Sequence, residues 1–178
     1  MNPDLALIER ARAFDAQALG EIYDAYFERL YRYAYRFVGE VEPAQDIASE
    51  ALRRLLEEFR AGRAPDRLGA WLYRVTFHLA VDQHRRRPPG KVVSLDADLE
   101  WADDATPESD AEQRVVQARV RAALDKLTPE QQNVVVLKFL EGYSNSQVGA
   151  LMNKPEGAIK SLQHRALAAL RRALGPLD

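Results

Sequence analysis

Residues 144–172 read SNSQVGALMNKPEGAIKSLQHRALAALRR, two helical stretches separated by a turn of very few residues. From Pro155 onward Ile159, Leu162, Ala166, Ala169, Leu170 and Ala173 recur at i, i+3, i+7, i+10, i+11 and i+14, one face of a helix. The opposite face carries Gly157, Lys160, Ser161, His164 and Arg171, with Glu156, Arg165 and Arg172 at its edges. A helix that lies in a major groove needs such a small, polar, cationic surface, although an ordinary solvated face has a similar composition. The preceding turn adds three requirements of its own. Gly149 supplies a small residue where two helices cross closely, Asn153 tolerates a left-handed backbone, and Pro155 presets the first turn of the second helix. Ser144 with Gln147 three residues on forms a capping box for the first. The stretch therefore predicts a helix-turn-helix, which binds DNA or serves as a structural hairpin.

The whole chain has 178 residues, 47% of them hydrophobic, enough for one domain or two small ones. No stretch approaches the roughly 18 apolar residues of a membrane span, and MNPDLALIERAR has acids where a signal peptide has bases. Membrane insertion is thus not expected, and a cytoplasmic protein is. The absence of cysteine excludes disulfides and thiolate zinc sites. Net charge is only −2, but it is distributed in blocks. Residues 1–52 hold ten acids and five bases, 53–91 ten bases and four acids, 92–128 nine acids and four bases, and 129–178 six bases and four acids. Alternation of this kind suits a protein that meets nucleic acid at two places and something else at the others.

Ahead of the opening stretch, residues 15–38 carry Leu19, Ile22, Tyr23, Tyr26, Phe27, Leu30, Tyr31, Ala34 and Phe37 at helical spacing, a long core helix closed by Gly39. Pro43 opens a second helix, which turns Ile47, Ala51, Leu52, Leu55 and Phe59 inward and Asp46, Glu50, Arg53, Arg54 and Glu57 outward. RAGRAP, residues 60–65, is a basic turn, and Asp66 is the expected N-cap of a third helix. There Leu68, Trp71, Leu72, Val75 and Leu79 form the expected buried stripe, which leaves Tyr73, Arg74, Phe77, His78, Val81 and Asp82 on or near the flanks. Aromatics interleaved with arginines bind an unpaired strand by stacking and phosphate contact; the plainer alternative is that Tyr73 and Phe77 only cover the helix. Residues 92–112 hold eight acids and no base, an acidic flexible linker. An amphipathic helix follows over residues 108–127 through Val115, Val116, Ala118, Val120, Ala123, Leu124 and Leu127. Thr128 to Gln131 is a second capping box, and the helix after it runs to about Gly142. The expected fold is all-α: a domain over 1–91, a linker over 92–112, and a helix-turn-helix domain over 113–178.

In this order the segments resemble a family, the bacterial sigma factors of the extracytoplasmic-function type. LTPEQQNVVVLKFLEGYSNSQVGALMNKPEGAIKSLQHRAL is similar to the domain that binds the −35 promoter element, PAQDIASEALRRLLEEF to the helix that docks on the polymerase β′ subunit, and GAWLYRVTFHLAVDQHRRR to the helix that meets the −10 element. The resemblance implies core polymerase contacts at Asp46 and Glu50, to which Arg53 and Arg54 of the same face are added. It implies a loop from Arg60 through Arg63 to Arg67 that captures a flipped −10 base, and −10 contacts at Arg74, Asp82, Arg85 and Arg86. The flanking Tyr73, Phe77 and His78 complete that set. It implies −35 contacts at Lys160, Ser161, His164 and Arg165, joined by Glu156 and Gly157 of the same face. Ser49 stands where the family has glutamine, His78 where it has asparagine, and Leu162 where arginine is frequent, a change that bears on phosphate contacts.

The implied partners are core RNA polymerase through its β and β′ subunits, the −35 duplex, the melted −10 strand and an anti-sigma factor. The chain ends six residues after Arg172, so a carboxy-terminal sensory domain is not expected. The rival reading is a helix-turn-helix regulator that acts without core polymerase. Three scattered histidines, no glycine-rich phosphate loop and no cysteine give no catalytic constellation, so no enzyme, cofactor or metal is expected.

Overall fold

The computed structural model describes residues 3–86 and 109–175, and no strand occurs among them. The chain divides into two compact units, Met1–Val93 and Ser94–Asp178.

In the first unit the helices are α1 (Pro3–Arg12), α2 (Ala16–Val38), α3 (Val41–Arg60) and α4 (Leu68–Arg85). Asp15 caps α2: its carboxylate accepts from the Gln17 and Ala18 N–H groups at 2.8 and 3.2 Å. Arg10 bonds Asp15 at 3.1 Å and Glu21 at 3.3 Å, which fastens α1 to the start of α2. Gly39 ends α2 in the left-handed conformation, its N–H bonded to the Tyr35 carbonyl at 2.7 Å. The buried surface of α2 is wider than one stripe, because α1, α3 and α4 all pack on it. Tyr33, Tyr35 and Val38 are buried there along with Leu30, Ala34 and Phe37, while Tyr23, expected in the stripe, is exposed. Tyr33 meets Phe37 and Tyr73 edge to face, with centroids 5.1 and 5.0 Å apart.

The α3 helix buries Ala44, Ile47, Ala48, Ala51, Leu55 and Phe59. It ends in a paired reversal: the Gly62 N–H bonds the Phe59 carbonyl at 3.0 Å and the Arg63 N–H the Glu58 carbonyl at 2.9 Å. These are the two bonds of a Schellman motif, and Gly62 takes the left-handed φ of 73° that the motif needs. The α4 helix starts one residue later than expected. Arg67, not Asp66, is its N-cap and offers no side-chain acceptor. Its buried stripe is Leu68, Leu72, Tyr73, Thr76 and Ala80, rotated from the expected one, with Trp71, Val75 and Leu79 only half-buried.

The second unit comprises α5 (Ser109–Leu124), α6 (Pro129–Val135), a π-helical turn (Val136–Leu140), α7 (Asn145–Met152) and α8 (Glu156–Leu174). The expected acidic linker lies outside the described residues through position 108, and its last four positions are already helical in α5. Val115 and Val116, expected inside, are 61% and 58% exposed. The end of α5 and the turn after it reach α8: Leu124 and Leu127 cluster with Val135 and Ala166, flanked by Val120, Ala169 and Leu170. Thr128 and Gln131 exchange capping bonds at the start of α6. The β-branched run that follows is helical because Val134, Val136 and Leu137 are buried, at 0 to 1% exposure. The turn widens at Val136–Leu140, closed by the Glu141 N–H on the Val136 carbonyl at 3.0 Å.

Candidate nucleic-acid and protein interfaces

The helix-turn-helix takes its shape from α7, Asn153 and α8. Ser144 accepts from the Gln147 N–H at 3.2 Å while the Gln147 side chain accepts from the Ser144 N–H at 2.8 Å, the expected box. Asn153 has φ 54°, and the Lys154 N–H returns to the Gly149 carbonyl at 2.9 Å. A Cβ on Gly149 would stand 2.7 Å from the Lys154 carbonyl oxygen, so the small residue is demanded by the backbone of the turn itself. Pro155 sits just outside α8 as its N-cap rather than in its first turn. Lys154 also pairs with Glu130 at 2.9 Å, which ties the turn to the beginning of α6.

On α8, Ile159, Leu162 and Ala166 are buried, and Glu156, Gly157, Lys160, Ser161, His164, Arg165, Arg171 and Arg172 are exposed. Lys160 pairs with Glu156 at 2.9 Å, one turn back. Ser161 donates to the Gly157 carbonyl at 3.0 Å, which leaves its oxygen lone pairs turned outward. The Arg165 Nε donates to the Ser161 carbonyl at 3.4 Å. Leu162 is 6% exposed and belongs to the core of the unit.

In the first unit Arg74, His78, Asp82, Arg85 and Arg86 are all exposed, at i, i+4, i+8, i+11 and i+12 on one stripe of α4 and its cap. Two expected members do not join them as stacking surfaces. Tyr73 is 2% exposed, its ring engaged by Tyr33. Phe77 is half-buried, edge-on to Phe37 with centroids 5.7 Å apart, and its ring is tilted against His78, also at 5.7 Å between centroids. The reason is the rotated stripe: small Thr76 and Ala80 allow α2 to approach, and the aromatics fill that interface. Neighbouring Arg60, Arg63 and Arg67 are exposed at the loop. Arg63 is bonded to both Glu58 oxygens at 2.7 and 2.8 Å, which holds that carboxyl below its usual range and raises the guanidinium.

The outer face of α3 is a lattice of charge. Glu50 accepts from Arg53 at 2.6 and 2.8 Å and from Arg54 at 2.8 Å. Those bonds, Arg53 first, lower its pKa from 4.5 to about 2. Arg53 also bonds Glu57, and its own pKa is raised by the two carboxylates. Asp46 is exposed one turn earlier. The face is therefore mixed in sign, with acids and arginines in alternation. Among the described residues no group of histidines and carboxylates is placed to hold a metal, and no helix is long and apolar enough to cross a membrane.

Two residues near the loop carried no sequence signal. Arg12 bonds the Gly62 carbonyl at 3.1 Å, and Phe14 lies under the Arg60 guanidinium at 5.9 Å. Periodicity cannot reveal contacts between residues fifty positions apart.

Known proteins align with both units. Residues 22–88 match the family model for sigma-70 region 2, and residues 123–172 that for sigma-70, region 4. The chain is 35% identical over 172 residues to the ECF RNA polymerase sigma factor BldN of Streptomyces coelicolor, covering 96% of this chain and 65% of that one. It is 29% identical over 181 residues to the ECF RNA polymerase sigma factor SigW of Bacillus subtilis, covering 96% of each. Among solved structures, CnrH in complex with the cytosolic domain of CnrY superposes with a TM-score of 0.70 at 22% identity, covering 95% of both chains. The sigma factor RpoE of Bartonella quintana, in complex with the anti-sigma factor NepR, superposes with a TM-score of 0.60 at 19% identity, covering 87% of this chain and 95% of that one.

Proposed function

The chain belongs to the sigma-70 family, among the sigma factors of extracytoplasmic-function type, and on that premise we propose that it binds core RNA polymerase and directs it to promoters. The observation that carries the reading is the pairing of a region 2 and a region 4 match, in order, with two separate units that each present a charged helical face. In this reading the first unit docks on the polymerase through Asp46, Glu50, Arg53 and Arg54 of α3. Its loop from Arg60 to Arg67 and the α4 stripe of Arg74, His78, Asp82, Arg85 and Arg86 engage the melted −10 strand. The second unit lays α8 in the −35 major groove, where Glu156, Gly157, Lys160, Ser161, His164 and Arg165 face base edges and phosphates.

Buried Tyr73 contributes rigidity behind the −10 stripe. The polymerase performs the chemistry, and the chain acts in the cytoplasm as a specificity subunit. An anti-sigma factor is the proposed regulator, in parallel with the complex of the Bartonella RpoE with the anti-sigma factor NepR. The test is co-purification with core polymerase and transcription in vitro on genomic fragments, for the parent and for Asp46→Lys with Glu50→Lys. The parent should yield specific start sites, and the double variant should lose core binding with its helicity intact. Specific duplex binding with no core complex in the parent would support a regulator of the other kind.

A further inference from the structure

The turn that follows α3 is held from two sides. From within, Glu58 takes both the backbone and the side chain of Arg63. From outside, the approach is made by α1. The Schellman motif uses the Gly62 N–H, and Arg12 donates from Nη2 to the Gly62 carbonyl at 3.1 Å while Glu9 steadies its Nη1 at 3.0 Å. Two residues on, Phe14 places its ring under Arg60, with the guanidinium carbon 5.9 Å from the centroid. Phe14 does so from φ 58°, a left-handed backbone that a bulky L-residue adopts only under constraint. Its N–H bonds the Ala11 carbonyl at 3.0 Å and the Asp15 N–H the Arg10 carbonyl at 3.2 Å, so the strained turn is firmly closed.

Packing of α1 does not require these contacts. Ile8 and Ala11 already bury its inner face, and Arg10 already joins it to α2. Arg12 and Phe14 work at the exposed edge, where a charged contact adds little to stability. Their effect falls on the position of the loop.

We propose that α1 and its closing turn are a positioning strap for the loop, in which Arg12 fixes the loop backbone at Gly62 and Phe14 parks the Arg60 guanidinium. This rests on the reading of the loop as the part that captures a −10 base. With Arg63 held by Glu58 and Arg60 by Phe14, Arg67 is then the loop arginine left to face DNA. Arg12 and Phe14 are positioning residues that govern base selection without touching the strand.

The experiment uses the full chain assembled with core polymerase on a promoter obtained by transcription in vitro, in versions carrying each base at each −10 position. Open-complex formation is measured for the parent, Arg12→Ala, Arg12→Lys, Phe14→Gly, Arg63→Ala and Arg67→Ala. Arg12→Ala should lower opening by about threefold, the scale of an exposed charged contact. It should also flatten the preference at the captured base and speed amide exchange over residues 61–67, with core affinity and thermal stability unchanged. Arg12→Lys retains a cationic donor and should recover part of the preference. Phe14→Gly removes the ring and the backbone strain together, so the preference should fall without loss of stability. A parent-like preference in both Arg12→Ala and Phe14→Gly, with Arg63→Ala or Arg67→Ala altering it, overturns the strap alone. If none of the four alters it, the reading of the loop has failed and the strap with it. Unchanged amide exchange in Arg12→Ala refutes the tether on its own.

Discussion

Glu50 shows what a single carboxylate does on a crowded helix face. Arg53 and Arg54 donate to it from the next turn, and its pKa falls to about 2 from 4.5. A depressed carboxyl adds stability that is present above its ordinary value and lost as pH falls through the folded one. What Glu50 contributes to α3 is therefore lost between about 4.5 and about 2. Near neutrality Glu50 is always charged and gives core binding no pH dependence. Carboxyl-carbon NMR should find Glu50 titrating near 2, and Arg53→Ala with Arg54→Ala should return it toward the ordinary range; an unchanged titration in that double variant would remove the arginines as the cause. Nothing in the sequence marked this lattice beyond the spacing of Glu50, Arg53 and Arg54, which did place them together. Tyr73 was less legible. Its neighbours Thr76 and Ala80 are weakly hydrophobic, so periodicity favoured Trp71, Val75 and Leu79, whereas the aromatic surface offered by Tyr33 and Phe37 decided which side of α4 was buried.

Among the elements, α7 and α8 were the most legible, because local chemistry dictates them. A capping box, a left-handed asparagine and a glycine beneath a carbonyl each work within a few residues. Gly149→Ala should destabilise the second unit by about 1–3 kcal/mol, the usual cost of overpacking, even though alanine is the better helix former. Chemical denaturation reads this directly, and a neutral result would mean that the turn relaxes freely. Lys160 is paired with Glu156 in the free protein, and in the proposed reading it exchanges that partner for a phosphate. Lys160→Ala should weaken binding to −35 duplex and reduce the salt slope by about one; an unaltered slope would place Lys160 away from the backbone. The start of α4 resisted reading for the opposite reason. Asp66 has the right chemistry for a cap, but the buried Leu68 sets where the helix begins, and the N-cap falls on Arg67.

At the scale of the whole chain, the charge blocks and the acidic segment pointed to two bodies, and each described unit has a core of its own. Leu30, Tyr33, Leu55 and Leu72 are fully buried in one, and Val134, Leu137, Val148 and Ile159 in the other. Cut between Val93 and Ser94, the chain should give two pieces that each unfold cooperatively, as followed by circular dichroism. A piece that melts without a transition would show that its core depends on the other. Contacts over long separations, by contrast, leave no trace in composition or periodicity, and the bond from Arg12 to Gly62 is the clearest instance. It also sets an order of events during synthesis. Arg12 leaves the ribosome fifty residues ahead of its acceptor, roughly 3 to 10 s at translation rates of about 5 to 20 residues per second. A ten-residue helix is marginal by itself in water, so α1 takes its first support from Arg10 on Asp15 and Glu21, and the Arg12 bond closes only once α3 has formed and its glycine has turned. The first described helix is then among the last to complete its contacts.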